Sequence, residues 1–399
     1  MRRFLFILLL IACFPSFLLA QAKTDTSAVH SHQEVPDSVV VSLITCSPGT
    51  LVYELYGHTA LRVREVGAYR TSDWVFNYGT FSFAQPHFVW RFMLGQTDYQ
   101  LGVLPYAYFY EEYVRSGRAI EEQRLNLTPE EEKKLVDALS TNLLPEHATY
   151  RYNFFYDNCT TRAINQIENA VKGKVEWGNC DSTQTLRDIV REYSASSPWN
   201  CFGQDLLLGS EADQPASLAK QMFAPLYAQR FVADAKIVSA DGTSRQLAAP
   251  VVTLLPAQHS AKANSYFTPL IVFTTLLVLG IALSLYEWKR KKSYWQWDAL
   301  LLLVQGLVGC LIAFLFFFSA HPAVGSNWLL LLFNPLPLLY FPWFMKQASL
   351  RQPTKGMYVQ LGMLALTLLV GLLGWQVFPF EVYLLIALLA VRAVLRVKC

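Results

Sequence analysis

The last third of the chain alternates long apolar runs with short loops. The runs consist mostly of Leu, Ile, Val, Phe and Ala, and each is long enough to approach the ~30 Å thickness of a bilayer core. We predict five membrane spans, at 269–286, 299–319, 328–344, 356–376 and 380–394. Prolines interrupt the third run, which makes it the least regular of the five.

The loops between the predicted spans differ in charge. Lys and Arg follow the first, third and fifth spans, whereas residues 321–327 and 377–381 contain neither. By the positive-inside rule the basic loops are cytoplasmic, which places the chain before Pro269 outside the cytoplasm. Residues 1–20 agree, because two arginines, an apolar run and a small final residue are typical of a cleaved signal peptide. We therefore expect a multi-pass protein of the bacterial inner membrane with a periplasmic N-terminal domain.

The segment before the spans mixes strand and helix patterns. β-Branched and alternating residues predict strands at 39–45, 58–64, 74–78 and 81–83. A capping box at Thr128 opens one predicted helix, and Asp157-Asn158 opens a second. We predict an α+β domain over 33–238, a linker over 239–268 and an all-α membrane domain over 269–399.

Composition narrows the possible partners. The chain is 53% hydrophobic and its net charge is +3, and its C-terminal basic residues lie beside apolar spans instead of forming a patch with aromatics. Nucleic acid is therefore not an expected partner. Metal-type His and Cys spacings are missing from the sequence, so we expect no metal and no other cofactor. Cysteines tend to pair in an oxidising periplasm, and Cys180 with Cys201 is the preferred pair.

The run 152–162, with the sequence YNFFYDNCTTR, is the sharpest local feature. It places Cys159 in the first turn of a predicted helix, behind an Asp-Asn cap. Unpaired amides and the helix dipole favour a thiolate there, and the same amides are positioned to hold an oxyanion. A buried structural cysteine is the alternative, and the cap favours the nucleophile.

A thiolate nucleophile is commonly paired with a histidine that a polar residue orients. His58 begins a predicted strand directly after Gly57 and is our preferred base. Asn77, on the next predicted strand, is the preferred orienting residue, although an asparagine that caps a turn would look the same. The rivals are His87 and His147 for the base, and Asp73 and Asp157 for the orienting residue.

The order of histidine, polar strand residue and cysteine at a helix start is similar to a circularly permuted branch of the NlpC/P60 papain-like hydrolases. That branch includes the lecithin:retinol acyltransferase-like enzymes. Over nearly the whole mature chain, the sequence more specifically resembles the Lnb-type lipoprotein N-acyltransferases. The segments that carry this resemblance are 56–63, 76–83, 152–162, 199–209 and 321–335.

The resemblance implies a reaction and a set of site residues. A cysteine would take an acyl chain from a membrane phospholipid as a thioester and pass it to the free α-amine of a diacylglyceryl-cysteine lipoprotein. Cys159 would be the nucleophile and His58 the base, with Asn77 a looser transfer. The expected substrate-binding residues are Asn158, Arg162, His321 and Asn327. Helix-packing hydrogen bonds explain the two residues near the membrane nearly as well.

Other interpretations use the same residues. A cysteine amidase or peptidase acting on peptidoglycan is one, although a soluble domain would suffice for that work. A phospholipase or thioesterase differs only in the acceptor, and a non-enzymatic sensor would make Cys159 structural. Aromatic residues either line an acyl groove or belong to the core; they are Phe81, Phe83, Phe88, Trp90, Phe92 and those of 106–110.

Overall fold

The computed structural model describes residues 38–67, 71–258 and 266–398. The predicted signal peptide lies outside these ranges. Within them, a sheet-rich domain precedes a helical one, which confirms the predicted α+β class followed by an all-α domain.

Among the described residues, ten strands form two antiparallel sheets. They are β1 (Ser38–Cys46), β2 (His58–Val66), β3 (Thr71–Thr80), β4 (Asp98–Pro105), β5 (Ile120–Arg124), β6 (Thr149–Arg151), β7 (Lys174–Glu176), β8 (Lys236–Val238), β9 (Ser244–Gln246) and β10 (Val252–Leu255). The large sheet has the order β10-β5-β1-β2-β3-β4-β6, and the small one has the order β7-β8-β9. The neighbours β1, β2 and β3 therefore form the centre of the large sheet.

Nine helices accompany these strands in the described residues of the first domain. They are α1 (Phe88–Met93), α2 (Tyr106–Ser116), α3 (Pro129–Asn142), α4 (Pro145–Ala148), α5 (Cys159–Ala170), α6 (Leu186–Ser194), α7 (Pro198–Leu207), α8 (Leu218–Gln221) and α9 (Pro225–Asp234). The predicted capping box of α3 is confirmed, because Thr128 and Glu131 exchange side-chain and backbone hydrogen bonds.

Alternation along the central strands sends side chains to two different cores. Leu43 and Leu61 face the main core, which includes residues of α3, α5, α6 and α9. Ile44 and Ala60, one residue away on each strand, face a smaller core that α2 completes with Phe109. The helix α5 therefore lies on one face of the sheet and α2 on the other.

The predicted linker is wrong over its first part. Strand β9 pairs with β8, and β10 pairs with β5 of the large sheet, with Val252 opposite Glu122. The folded domain thus continues to Leu255 instead of ending at 238. These strands have only three and four residues and stand among Gly, Ser and Pro, so their alternation is too short to separate them from a loop.

The preferred disulfide is absent from the described residues, where Cys180 and Cys201 are both free thiols. Cys201 lies on α7 and hydrogen-bonds the Ser194 side chain. Cys180 lies in the loop before α6 and packs against the main core. The two cysteines are close in sequence and lie in a polar region, but these features did not reveal that their side chains have different surroundings in the fold.

The C-terminal domain has five α-helices among its described residues. They are α10 (Pro269–Arg290), α11 (Trp295–Phe318), α12 (Leu336–Ser349), α13 (Gly356–Leu372) and α14 (Phe380–Lys398). In the described chain, only α10 and α11, with 22 and 24 residues, are long and apolar enough to cross a membrane by length and composition. Helix α13 is apolar but shorter.

The third and fifth predicted spans need correction. The segment 328–335 before α12 forms a short 3-10 turn and a bend instead of α-helix. The Asn334 side-chain oxygen accepts a hydrogen bond from the Leu336 N–H, and Pro335 and Pro337 cannot continue a preceding helix. The fifth predicted span ends too early, because α14 continues to Lys398. Within it, Arg392 and Arg396 are buried and form ion pairs with Glu287 of α10 and Asp298 of α11, which flank the basic loop 289–292.

Candidate active site

Cys159 is the first residue of α5, as predicted. The Asn158 side-chain oxygen accepts hydrogen bonds from the N–H groups of Thr160 and Thr161, at 2.9 and 3.0 Å. The apolar face of α5 holds the helix against the sheet, with Ala163 and Ile167 fully buried. A polar cap and an apolar stripe therefore fix the position of the half-buried cysteine.

Strands β2 and β3 supply the two other predicted residues. His58 begins β2, and its Nε2 lies 2.5 Å from Oδ1 of Asn77 on β3. An amide oxygen can only accept, so the imidazole Nε2–H is the donor. The Cys159 thiol hydrogen-bonds the His58 side chain. The structure thus brings together the three residues that the sequence analysis placed in one site.

A hydroxyl pair joins the helix to the strand that carries the histidine. Thr160 Oγ1 donates to Thr59 Oγ1 at 3.1 Å, and both residues are completely buried. The backbone N–H of Thr59 also hydrogen-bonds the Cys159 sulfur. Because Thr59 and Thr160 directly follow His58 and Cys159, this contact fixes the distance between the two reactive side chains.

Gly79 is a site residue that the sequence analysis missed. The pairing of β3 with β4 shifts register between Asn77 and Thr80, and Gly79 within this bulge has φ of +93°. A Cβ at Gly79 would lie 3.5 Å from Cβ of Cys159. The glycine therefore lets the strand turn directly past the cysteine. The Asn77-Tyr78-Gly79 sequence carries a signal for such a bulge, since glycine is unusual within a strand.

Electrostatics favour a thiolate at Cys159. Burial alone raises the pKa of the thiol, but the charge and hydrogen bond of His58, with smaller contributions from Thr59 and Thr160, lower it to about 7. Burial lowers the pKa of His58, and the Cys159 charge together with the Asn77 hydrogen bond raises it above its ordinary value. Cys46 has the opposite environment, since burial raises its pKa to about 12. Cysteine reactivity follows thiolate character, so Cys159 is the reactive thiol of this pair.

Asn158 and Arg162, two of the predicted substrate-binding residues, have local partners within the protein. Asn158 is buried, and its Nδ2 donates to the carbonyls of Phe154 and Phe223 while its oxygen caps α5. Arg162 forms a bidentate ion pair with Asp157 and lies over the Tyr150 ring. Both side chains are used in building the start of the helix.

His321 and Asn327 also have structural partners. His321 Nε2 lies 2.9 Å from the Phe92 carbonyl, which joins the membrane domain to α1. Asn327 is buried, donates to the Leu206 carbonyl at 2.7 Å, and accepts from the amide of Gln376. Polar residues at the outer ends of spans therefore bind the two domains together, which is the packing alternative that the sequence left open.

In the three described stretches of the chain, no group of three or more His, Cys, Asp or Glu side chains is placed to hold a metal ion. Cys159, His58 and Asn77 are residue types that support nucleophilic and acid-base chemistry. Cys159 is placed to act as the nucleophile, His58 to move the proton and Asn77 to orient the ring.

Comparison with known proteins agrees with this architecture. One family model, the Lnb N-terminal periplasmic domain, matches residues 27–192, and a second, the Lnb transmembrane domain, matches residues 261–399. Together they cover well over half of the chain. No curated protein and no solved structure matches it. The chain therefore belongs to the Lnb family, the lipoprotein N-acyltransferase type to which its sequence motifs pointed, with a periplasmic N-terminal domain and a transmembrane domain in the inner membrane.

Proposed function

We propose that this protein transfers an acyl chain from a membrane phospholipid to the free α-amine of a diacylglyceryl-cysteine lipoprotein, through a thioester on Cys159. The observation that carries the proposal is the contact of a depressed-pKa thiol with an imidazole that an amide oxygen orients. This arrangement is the papain-like constellation of nucleophile, base and orienting residue.

The first half-reaction loads the cysteine. The Cys159 thiolate attacks the ester carbonyl of the phospholipid, and the imidazolium of His58 gives its proton to the departing glycerol oxygen. A lysophospholipid leaves with that proton, and the acyl group stays as a thioester. With Nε2–H donated to Asn77, Nδ1 is the ring nitrogen left for this transfer. In the described chain the N–H of Cys159 has no acceptor, which suits it to hold the oxyanion.

The second half-reaction transfers the acyl group from Cys159 to the lipoprotein. The lipoprotein α-amine attacks the thioester carbonyl, neutral His58 takes a proton from the amine, and the Cys159 thiolate leaves. The products are an N-acylated lipoprotein and the original ion pair, so no oxidant, metal or further reactant is required. If water took the place of the amine, the same residues would make the protein a phospholipase, and with a peptidoglycan amide as donor they would make it an amidase.

The membrane attachment supports the lipid substrates over peptidoglycan. Gly209 N–H donates to the Ala323 carbonyl at 2.7 Å, and Gln376 donates to the Leu208 carbonyl at 3.0 Å. These bonds hold the catalytic domain directly on the helical domain. Both proposed substrates are anchored in the outer leaflet, so a site held there meets them in a thin layer instead of a bulk volume.

The test is mass spectrometry of a lipoprotein's N-terminal peptide from cells with the gene, without it, and with Cys159→Ser or His58→Ala in its place. We expect the deletion strain and both variants to lose one N-linked acyl chain. Cys180→Ser, a change to another half-buried free thiol, should keep that chain. A fully N-acylated peptide from the Cys159→Ser strain would refute the mechanism and direct attention to peptidoglycan fragments.

A further inference from the structure

A series of stacked aromatic rings begins beside the reactive cysteine. Tyr152 stacks on Tyr99 with ring centroids 4.1 Å apart, Tyr99 stacks on Phe81 at 4.7 Å, and Phe81 stacks on Phe88 at 5.5 Å. In each pair the rings are within 16° of parallel. The series continues to Phe92 at 6.3 Å. We call these five residues the aromatic track.

The inner end of the track lies at the active site. Phe81 is two residues beyond Gly79, the position at which β3 passes the cysteine. Tyr99 is a buried core residue, and Phe81, Tyr152 and Cys159 pack against the same core. The inner end of the track therefore lies beside the cysteine.

The outer end of the track is fixed to the membrane domain. Phe92 packs against the His321 ring, and its neighbour Trp90 packs against Phe314 of α11 with ring centroids 4.6 Å apart. The Ala320 N–H donates to the Leu94 carbonyl at 3.0 Å. Gly95, with φ of +69°, lets the two backbone segments approach, because a Cβ there would lie only 3.2 Å from the backbone nitrogen of His321. The segment carrying α1 is thus attached where α11 ends.

Several exposed apolar side chains flank the track. Phe83 is 62% exposed, Val89 64% and Trp90 54%, and Tyr53 packs against Phe83 with centroids 5.8 Å apart. Exposed apolar surface of this extent is costly in water unless something covers it. It is continuous, through Trp90, with the apolar outer surface of α11, where Phe317 is 67% exposed. Since that surface faces lipid, the covering group is an acyl chain of the outer leaflet.

We propose that the aromatic track and its exposed flank guide the acyl chain of a membrane phospholipid from the outer leaflet to Cys159. The inference rests on the proposed function and deepens it by naming the residues that select the donor chain. Phe83 and Trp90 are then specificity-determining residues, because they contact the distal part of a long chain and leave a short one untouched.

Two substitutions in the full-length protein test this selection. Phe83→Ser and Trp90→Ser each remove an exposed ring, so folding should be kept. Thioester formation on Cys159 is measured by intact-protein mass spectrometry with dipalmitoyl or dihexanoyl phosphatidylethanolamine as donor. Each variant should raise the apparent KM for the sixteen-carbon donor about tenfold and that for the six-carbon donor less than about twofold. The matched control is Tyr108→Ser, since this tyrosine is 65% exposed on α2, across the sheet from the site.

Equal losses with both donors, or wild-type values with the long donor, would overturn the track. If the wild-type protein forms no thioester with either donor, the proposed function itself fails. A binding measurement that needs no acyl transfer separates the two cases. A phosphatidylethanolamine with a diazirine at the chain end is photolysed in the presence of the Cys159→Ser protein. Crosslinks in peptides that contain Phe83 or Trp90 support the track, and crosslinks only elsewhere refute it.

Discussion

Replacing His58 with alanine should raise the pKa of the Cys159 thiol, and this is the most direct effect of the substitution. Of the influences on this thiol, burial raises its pKa, and the two contributions from His58 are the largest that lower it. Removing the imidazole leaves burial opposed only by the Thr59 and Thr160 hydrogen bonds. We therefore expect the pKa to rise from about 7 to at least the ordinary value of 9.0.

The size of the effect at pH 7 follows from that difference. With a pKa of about 7, half of the thiol is ionised; with 9.0, about one part in a hundred is ionised, a roughly 50-fold smaller thiolate fraction. A more basic thiolate is also a better nucleophile, by roughly tenfold over this range. The alkylation rate at pH 7 should thus fall only about fivefold. The midpoint of the rate against pH is the clearer measure, since it should move from near 7 to 9 or above.

The assay is alkylation by iodoacetamide across pH 5 to 11, with the Cys159 peptide quantified by mass spectrometry. The Asn77→Ala protein should show an intermediate effect, because that hydrogen bond contributes to the raised pKa of His58 without touching the thiol. Cys46, whose pKa is about 12, provides an internal reference that should not change. An unchanged Cys159 midpoint in the His58→Ala protein would refute the ion pair on which the mechanism depends.

Two further substitutions test how the site is built. Asn158→Ala removes the cap of α5 and leaves two buried carbonyls without donors, so the free energy of unfolding should fall by about 3–5 kcal/mol. The control is Asn126→Ala at an exposed position, which should lower it by less than ~1 kcal/mol. Thermal melting measures both changes. Gly79→Val strains a positive φ and pushes a side chain against Cys159, so thioester formation should be lost. Gly203→Val, at a position with nothing within 4 Å, should keep it, and equal activities would argue against the close approach.

The reactive residues could be predicted because each depends on a short sequence signal. An Asp-Asn cap defines where α5 begins, and therefore which face of the helix turn presents Cys159. A glycine directly before an alternating strand defines where β2 begins, with His58 as its first residue. Pairing of β2 with β3 then brings Asn77 within reach of the ring. Local rules suffice here because the site lies at the ends of regular elements.

The substrate-binding predictions for Asn158, Arg162, His321 and Asn327 stay predictions, because sequence position alone does not show how these side chains are used. Asn158, Arg162 and Asn327 are polar residues near the expected site, but their hydrogen-bonding groups are satisfied by backbone carbonyls and a carboxylate that are distant or ambiguous in sequence. Sequence position does not reveal whether a buried amide faces a ligand or another part of the chain. The bulge at Gly79 was missed similarly, since its meaning depends on which helix packs above it.

The contacts between the two domains hold the periplasmic domain directly on the transmembrane domain. At the end of α7, the carbonyls of Leu206 and Leu208 accept hydrogen bonds from the side-chain amides of Asn327 and Gln376 in the transmembrane domain. From the other side, the buried guanidinium of Arg187 binds the carbonyls of Leu208 and Gly209 as well as two aspartates. Breaking the ion pairs of a buried guanidinium strongly destabilises the folded protein. The connection is therefore rigid. A rigid junction fixes the position of Cys159 relative to the transmembrane domain, and the proposed acyl-chain guide requires such a fixed position.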